Sequence, residues 1–139
     1  MPHLRLIARL DIKGANLIKG IQLEGVRKVG DPNTFAVQYY QEGVDEIVYM
    51  DAVASLYDRQ SMMEIVRRTA DSVFIPITVG GGMRSVDEAR DMLRAGADKI
   101  AVNSAATLNP SLISAIAERF GSQCMVLQID AKQRAAGRW

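Results

Sequence analysis

The 139-residue chain has the composition of a globular protein, with 48% apolar residues, 24% charged residues and a formal net charge of +1. This balance excludes broad electrostatic attraction to nucleic acid or to a membrane surface, and no apolar run approaches the roughly 20 residues of a membrane helix. The length predicts one domain over residues 1–139. A single cysteine, Cys124, excludes an internal disulfide and, with no signal-peptide pattern, predicts a cytoplasmic location.

Short apolar runs rich in β-branched residues alternate with longer amphipathic stretches. The runs predict five strands, over residues 5–12, 46–51, 74–80, 99–103 and 125–130. Because these runs are apolar nearly throughout, they indicate strands covered on both faces, as in a parallel sheet.

Helix start and stop signals lie between the predicted strands. Asp31 before Pro32 is typical of a cap with proline at the first helical position, and Gly43 marks the end of that helix. Asn109-Pro110 begins another helix, which Gly121 ends. Each signal falls where a connection between parallel strands is expected.

Two further helix starts fit the capping box, in which a hydroxyl and a carboxylate bond reciprocally to free amides. They pair Ser61 with Glu64 and Ser85 with Glu88. The sequence therefore predicts an α/β fold with four helices between five parallel strands.

Both a doubly wound open sheet and a βα barrel fit this alternation. An internal repeat favours the barrel, because Leu10-Asp11-Ile12-Lys13 returns as Ile129-Asp130-Ala131-Lys132 after four βα units of about 30 residues each. The fifth strand would then repeat the first. We therefore expect the (βα)8 TIM-barrel fold, with this chain forming a half-barrel.

Three consecutive glycines, Gly80-Gly81-Gly82, follow the third predicted strand and precede a helix start. Glycines at such a place present backbone amides to an anion, and three exceed what a tight turn needs. They predict a phosphate site, the alternative being a plain βα turn. Asn103-Ser104, at the end of the fourth strand, adds an amide and a hydroxyl on the same face.

Asp11 and Asp130 end apolar strands, where a carboxylate is costly unless it has partners or a task. In a barrel both lie on the C-terminal rim, where substrates bind, and two carboxylates there can divide acid and base roles. The alternative is that they cap the loops that follow. Lys19 is a better candidate for a substrate phosphate than Lys13 or Lys132.

One histidine and one cysteine offer neither a metal cluster nor a His-based triad. We therefore predict no metal and no other cofactor. His3, near the terminus, and Cys124, opening a predicted strand, are interpreted as structural or surface residues.

A set of short motifs runs from residue 4 to about residue 132. They are Leu10-Asp11, Ile18-Lys19-Gly20, Gly30-Asp31-Pro32, Asp45-Glu46, Thr78-Val79-Gly80-Gly81-Gly82, Gly96-Ala97-Asp98-Lys99, Phe120-Gly121-Ser122-Gln123 and Ile129-Asp130-Ala131-Lys132. With this combination the sequence resembles the cyclase subunit of imidazole glycerol phosphate synthase, a family of histidine biosynthesis.

The resemblance implies a (βα)8 barrel that takes ammonia from a glutaminase subunit docked at its N-terminal face. Such an enzyme is a lyase that cleaves and cyclises a bisphosphorylated ribulosyl aminoimidazole carboxamide nucleotide to imidazole glycerol phosphate. Asp11 and Asp130 would be the general acid and base. The residues implied for one of its two phosphate sites are Gly81, Gly82, Asn103 and Ser104.

The resemblance also implies roles at the opposite end of the barrel. Arg5, Glu46 and Lys99 match members of a charged ring that gates ammonia. Asp98 and Gln123 match positions that face the glutaminase.

The loop after the first strand departs from the family. Arg9 stands where the family usually has cysteine, and Gly14-Ala15-Asn16 where it has Asp-Gly-Arg. These residues and the segment 50–57 are closer to paralogues of surface-polysaccharide pathways, thought to serve an amidotransferase acting on a nucleotide sugar. Both substrates therefore stay open.

A (βα)8 barrel needs about 250 residues. Either the chain is the N-terminal half of a longer product or it is a self-contained half-barrel that binds phosphate without catalysis. An isolated half leaves apolar strand edges unpaired, which predicts a homo-oligomer.

Overall fold

The computed structural model describes residues 3–21, 25–53 and 56–138. The strands are β1 (Ile7–Lys13), β2 (Asn16–Ile21), β3 (Gly25–Gly30), β4 (Glu46–Asp51), β5 (Ile77–Gly80), β6 (Lys99–Val102) and β7 (Met125–Leu127). The α-helices are α1 (Pro32–Gln41), α2 (Leu56–Ala70), α3 (Val86–Ala95), α4 (Ser104–Leu108) and α5 (Ser111–Phe120), and a 3₁₀ helix (Ser122–Cys124) precedes β7. The strands form one sheet in the order β3-β2-β1-β4-β5-β6-β7. None of the helices in these ranges is long and apolar enough to cross a membrane.

All five predicted parallel strands are present, as β1, β4, β5, β6 and β7. The α/β class is confirmed, and the mostly parallel sheet is consistent with part of a (βα)8 barrel. Several strands are shorter than predicted. For example, β5 begins at Ile77 rather than at residue 74, because Phe74 is 77% exposed and Pro76 has no N–H for the ladder.

The hairpin of β2 and β3 corrects the predicted strand count from five to seven. A two-residue turn, Gly14-Ala15, joins β1 to β2, and Gly14 has the positive φ (60°) that hairpin turns require. Lys19 pairs with Arg27 across the hairpin, and both are exposed. Strands this exposed carry no long apolar run, so the pattern that identified the buried strands did not identify them.

The helices number five among the described residues, where four were predicted. The additional one, α4, begins directly after β6 and has five residues, too few for a periodic pattern. The predicted start at Ser61 is wrong, because α2 begins at Leu56 and Ser61 lies inside it. Ser-x-x-Glu spacing also arises within helices, where residues three apart share a face.

The predicted starts of α1 and α3 are confirmed. The carboxylate of Asp31 accepts from the N–H of Thr34 at 3.0 Å, with Pro32 at the first helical position. Ser85 Oγ accepts from the N–H of Glu88 at 3.2 Å. The carboxylate of Glu88 reaches back one residue further than the capping box predicts, to the N–H of Arg84 at 2.7 Å.

Alternate strand residues build the core against the helices. Ile47 and Tyr49 of β4 are both 0% exposed. The equivalent residues of the other strands and the inner faces of the helices complete the cluster: Leu10, Ile12, Ile77, Val79, Ile100, Val102, Ala36, Met62, Val66, Ala89, Met92, Leu112 and Ile116. Because side chains alternate along a strand, the intervening residues lie on the opposite face of the sheet. The core and the candidate site therefore use different positions of the same strands.

Two aspartates clamp the starts of neighbouring strands in the same way. Asp45 accepts from the N–H of Leu6 at 2.7 Å while its own N–H donates to the carbonyl of Leu6 at 2.8 Å. Asp98 makes the same pair of bonds with Ile77, at 2.8 Å each. In each clamp the aspartate is the last residue of a Gly-x-Asp sequence. The same local sequence therefore fixes both the β1–β4 pairing and the β5–β6 pairing.

A buried polar network joins β4 to α1 and α2. The Tyr49 hydroxyl lies 2.6 Å from Thr69 Oγ1, which donates to the carbonyl of Ile65 at 2.8 Å and accepts from Asn33 Nδ2 at 3.3 Å. Burial raises the pKa of the Tyr49 phenol from 10.0 to about 12. Because Thr69 Oγ1 donates to the Ile65 carbonyl, the Tyr49 hydroxyl is the donor to Thr69 and must keep its proton.

Tyr49→Phe should lower the free energy of unfolding at neutral pH by about 1 kcal/mol, the value of one buried hydrogen bond. The unfolded phenol ionises near 10.0 and the folded one near 12, so the Tyr49 contribution is complete below pH 10 and is lost as pH rises through 12. At pH 11 the wild-type chain should have lost about 1.4 kcal/mol that Tyr49→Phe does not lose. Urea unfolding at pH 8, 10 and 11 measures this, and equal losses in the two proteins would contradict it.

Candidate functional site

A cleft of about 830 Å³ opens at the C-terminal ends of the parallel strands, the face that βα barrels use for substrates. The residues that line it are Arg9, Asp11, Ile18, Gly20, Met50, Asp51, Ala52, Gly81, Gly82, Met83, Arg84, Asn103, Ser104, Ala105, Leu108, Gln128 and Asp130. Six of the predicted site residues are among them: Asp11, Gly81, Gly82, Asn103, Ser104 and Asp130.

Asp11 lies near the end of β1 and is bound by a residue of the same strand. Arg9 Nε donates to Asp11 Oδ1 at 3.0 Å, and both side chains are about half exposed. Arg9 and Asp11 are two residues apart, so they lie on one face of the strand while Leu10 packs into the core between them. The Asp11 carboxylate is thus oriented by a charged donor.

Asp130 follows β7 and is bound by a residue that follows β6. Asn103 Nδ2 donates to Asp130 Oδ2 at 2.5 Å. Asn103 occupies the N-cap position of α4, but its side chain bonds to Asp130 and not to the helix. The two carboxylates therefore have unlike partners, a guanidinium for Asp11 and a neutral amide for Asp130.

The glycine turn after β5 packs closely against the end of β4. Gly81 has φ of +91°, and a Cβ there would lie 2.3 Å from the carbonyl oxygen of Asp51. A Cβ at Gly80 would lie 2.8 Å from that of Ala101. Two of the three glycines therefore have a steric cause, independent of any ligand. Gly82, with φ of 64°, continues the turn along the cleft wall.

Lys19 stays a prediction as a phosphate ligand. It lies on β2 and is exposed, and its neighbours Ile18 and Gly20 line the cleft while Lys19 does not. Because side chains alternate along a strand and Ile18 and Gly20 lie on the cleft side, Lys19 lies on the opposite face of the hairpin.

The opposite end of the sheet carries a buried carboxylate between two cations. Glu46, the first residue of β4, is 6% exposed. Its two carboxylate oxygens lie 2.5 Å from Arg5 Nη1 and 3.1 Å from Lys99 Nζ. The structure therefore brings together the three residues predicted to form the charged ring. A carboxylate this buried needs such partners, because removing one would leave a charge without compensation.

The two predicted partner-facing residues are both exposed at this end. Asp98 uses one carboxylate oxygen in the clamp on Ile77, so it has a structural task as well. Gln123 lies in the 3₁₀ helix before β7, against the space that a side chain at Gly121 would fill. Their role towards a partner stays a prediction.

The sequence matches the family described as "Histidine biosynthesis protein" over residues 5–138. The chain belongs to this family. Among curated relatives, the imidazole glycerol phosphate synthase subunit HisF of Legionella pneumophila is 66% identical over all 139 residues. The same subunit of Myxococcus xanthus is 53% identical over 97% of the chain, and that of Streptococcus sanguinis is 50% identical over 97%.

The chain spans 66%, 53% and 54% of the lengths of these three relatives. The histidine biosynthesis family is therefore established for this chain, while the activity, substrate and partners of the whole protein are matters for proposal.

Sequence reasoning missed part of the cleft lining. Gln128 lies two residues before Asp130, and alternation along the strand predicted over residues 125–130 would have placed both side chains on one face. Ile18 and Gly20 enter through the unpredicted hairpin, and no sequence pattern pointed to Arg84.

Gly81→Ala should destabilise the fold far more than Gly43→Ala. Both glycines have nearly the same φ, +91° and +93°, but a Cβ at Gly43 meets nothing within 4 Å, whereas one at Gly81 meets the Asp51 backbone. Gly43→Ala should cost about 1 kcal/mol for the left-handed conformation alone. Gly81→Ala should cost at least about 3 kcal/mol in urea unfolding, and equal losses would contradict the close packing of the turn.

Proposed function

We propose that the protein is the cyclase subunit of imidazole glycerol phosphate synthase. In this role it uses ammonia from a glutaminase partner to convert a phosphoribulosyl aminoimidazole carboxamide nucleotide to imidazole glycerol phosphate. The observation that carries the proposal is the joint placement of Asp11, Asp130 and the glycine turn in one cleft, with a charged ring at the other end of the same strands. The names of the relatives support the same activity.

The cleft suits acid–base chemistry on a phosphorylated substrate. A phosphate group beside Gly82 and Ser104 would meet backbone amides and a hydroxyl. Neighbouring strands are about 4.8 Å apart, so a substrate held there would extend roughly 10 Å across β4 to reach β1. Asp11 and Asp130 would then flank its reacting part, one taking and one giving a proton.

The charged ring suits entry of ammonia from the opposite end. Glu46 has two cationic partners, so Arg5 or Lys99 could move aside to open a path while the other still compensates the buried carboxylate. A glutaminase docked over this face, near Asp98 and Gln123, would deliver ammonia directly between the strands. We place this assembly in the cytoplasm.

A paralogue that supplies ammonia for amination of a nucleotide sugar is the second candidate. Arg9 favours it, because the family usually has cysteine there and Arg9 lies in the substrate cleft. Complementation of a histidine auxotroph by a full-length version separates the two functions. Growth supports the cyclase, and failure with good expression supports the sugar pathway.

Asp11→Asn and Asp130→Asn should each lower turnover with ammonium salts by a factor of 100 or more, on the order of the contribution of a general acid or base. The assay uses a full-length version, in which this chain is followed by the second half of the Myxococcus xanthus relative. Asp87→Asn, an exposed change on α3, is the control. No turnover by the unaltered protein would contradict the cyclase function, and would favour a phosphate-binding scaffold if glutamine hydrolysis by a glutaminase were not stimulated either.

Glu46→Gln should lower turnover with glutamine as the ammonia source more than turnover with added ammonium. Loss of the carboxylate leaves Arg5 and Lys99 facing each other without compensation, which closes or distorts the ring. We expect about a tenfold fall in turnover driven by glutamine, with turnover from added ammonium changed less than twofold. An equal fall from both sources would show that Glu46 acts on the fold or on the cleft instead.

The chain alone should form a dimer or a higher oligomer. The edge strand β7 ends the sheet, and apolar residues on β1, on β7 and just after β7 are exposed: Ile7 42%, Leu127 49% and Ile129 73%. A second copy would cover them and pair the free edge. Light scattering at micromolar concentration checks this, and a stable monomer would contradict it.

A further inference from the structure

The cleft is lined by more acidic than basic side chains, although the substrate proposed for it is an anion. Its carboxylates are Asp11, Asp51 and Asp130, and its cations are Arg9 and Arg84. An anionic ligand therefore needs those cations close to its charged groups. The glycine turn and Ser104 provide donors at the β5 and β6 side of the cleft, and Arg9 lies across β4 from them.

Arg9 has donors to spare for such a ligand. A guanidinium carries five N–H groups in a planar fork, so its edges can bind two anions at once. Its one hydrogen bond within the described part of the chain runs from Nε to Asp11. The Nη1 and Nη2 groups at the tip make no bond to the described residues, and 53% of the side chain is exposed where it lines the cleft.

The strand geometry places this tip at the height of the acid–base pair. Arg9 pairs with Val48 in the β1–β4 register, one side-chain layer below Asp11 and one layer above the floor residue Glu46. Its side chain rises to reach Asp11, which brings the guanidinium to the rim. One cation is thus in contact with the Asp11 carboxylate and open to the cleft.

We propose that Arg9 binds a second oxyanion of the substrate, a phosphate or a carboxylate, and so fixes the substrate relative to Asp11. One edge of the guanidinium holds the Asp11 carboxylate, and the other holds the ligand. The first phosphate lies at the glycine turn, across β4, so the site selects ligands with two anionic groups. This inference rests on the proposed function only in taking the cleft as the substrate site.

The test compares Arg9→Met with Arg67→Met in this chain. Both changes remove one positive charge and keep an unbranched apolar stem, but Arg67 is exposed in the last turn of α2, outside the cleft. The probes are inorganic phosphate and ribulose 1,5-bisphosphate, titrated by calorimetry at fixed ionic strength. Thermal unfolding of each variant verifies that it is folded.

Arg9→Met should weaken binding of the bisphosphate by about tenfold, the value of one lost charge-assisted hydrogen bond. Binding of inorganic phosphate should change less than twofold, and Arg67→Met should change neither. An equal loss for both probes would overturn the proposal, because it would indicate a general charge effect. No loss for either probe, or no binding by the unaltered chain, would overturn it as well.

Arg9→Lys provides a second measurement if Arg9→Met unfolds. Lysine keeps the charge but lacks the two-edged fork, so it should recover less than half of the lost bisphosphate affinity. Full recovery would overturn the bridging role. The binding measurement does not require turnover. If Arg9→Met selectively weakens bisphosphate binding but the full-length enzyme is inactive, the result contradicts the cyclase function and not the role of Arg9.

Discussion

Parallel pairing of β1, β4, β5, β6 and β7 is the constraint on which the rest of the molecule depends. It places all strand starts at one end of the sheet and all strand ends at the other, while the twofold alternation divides each strand between a helix-covered face and an open one. The carboxylates and the glycine turn meet at the strand ends because of this pairing. The charged ring meets at the strand starts for the same reason. Contacts within each group, such as those of Glu46 with Arg5 and Lys99, then orient the side chains that the sheet has brought together.

The register of the parallel strands is fixed by side-chain and backbone hydrogen bonds at the strand starts. The clamps of Asp45 on Leu6 and of Asp98 on Ile77 tie strand starts together before the first ladder bond. At the other end, Gly81 permits the turn after β5 to lie against the Asp51 backbone. The Tyr49–Thr69 bond then locks β4 to its covering helix. These bonds hold the part of the cleft that the sheet forms, and the hairpin of β2 and β3 and the helix α4 contribute further lining residues.

The sequence indicated the buried half of this architecture well. Apolar runs identified the five parallel strands, and the caps at Asp31 and Ser85 identified two helix starts, because those signals arise from burial and local bonding. The same reasoning failed at the exposed hairpin and at the five-residue α4, which need neither a core face nor several turns. The predicted helix start at Ser61 was wrong because Ser-x-x-Glu spacing occurs both at helix starts and within helices.

The cleft was predictable in part for the same reason. Asp11 and Asp130 stood out as charges ending apolar runs, and the glycines stood out by number. What the sequence could not show is how these residues are held. The contact of Arg9 with Asp11, the contact of Asn103 with Asp130 and the packing cause of Gly81 all depend on distances between separate segments. The sequence marked Arg9 only as a departure from the family pattern. Its proposed role in substrate binding depends on its contact with Asp11, which the structure shows.

The paired clamps have a consequence for how such a molecule can change. Asp45 and Asp98 occupy equivalent places in two successive βα pairs, and each is followed directly by a residue of the ring, Glu46 in one case and Lys99 in the other. The clamp holds the backbone whatever side chain comes next. The two positions that follow the clamps can therefore carry opposite charges and pair with each other, without disturbing the backbone bonds that align the strands.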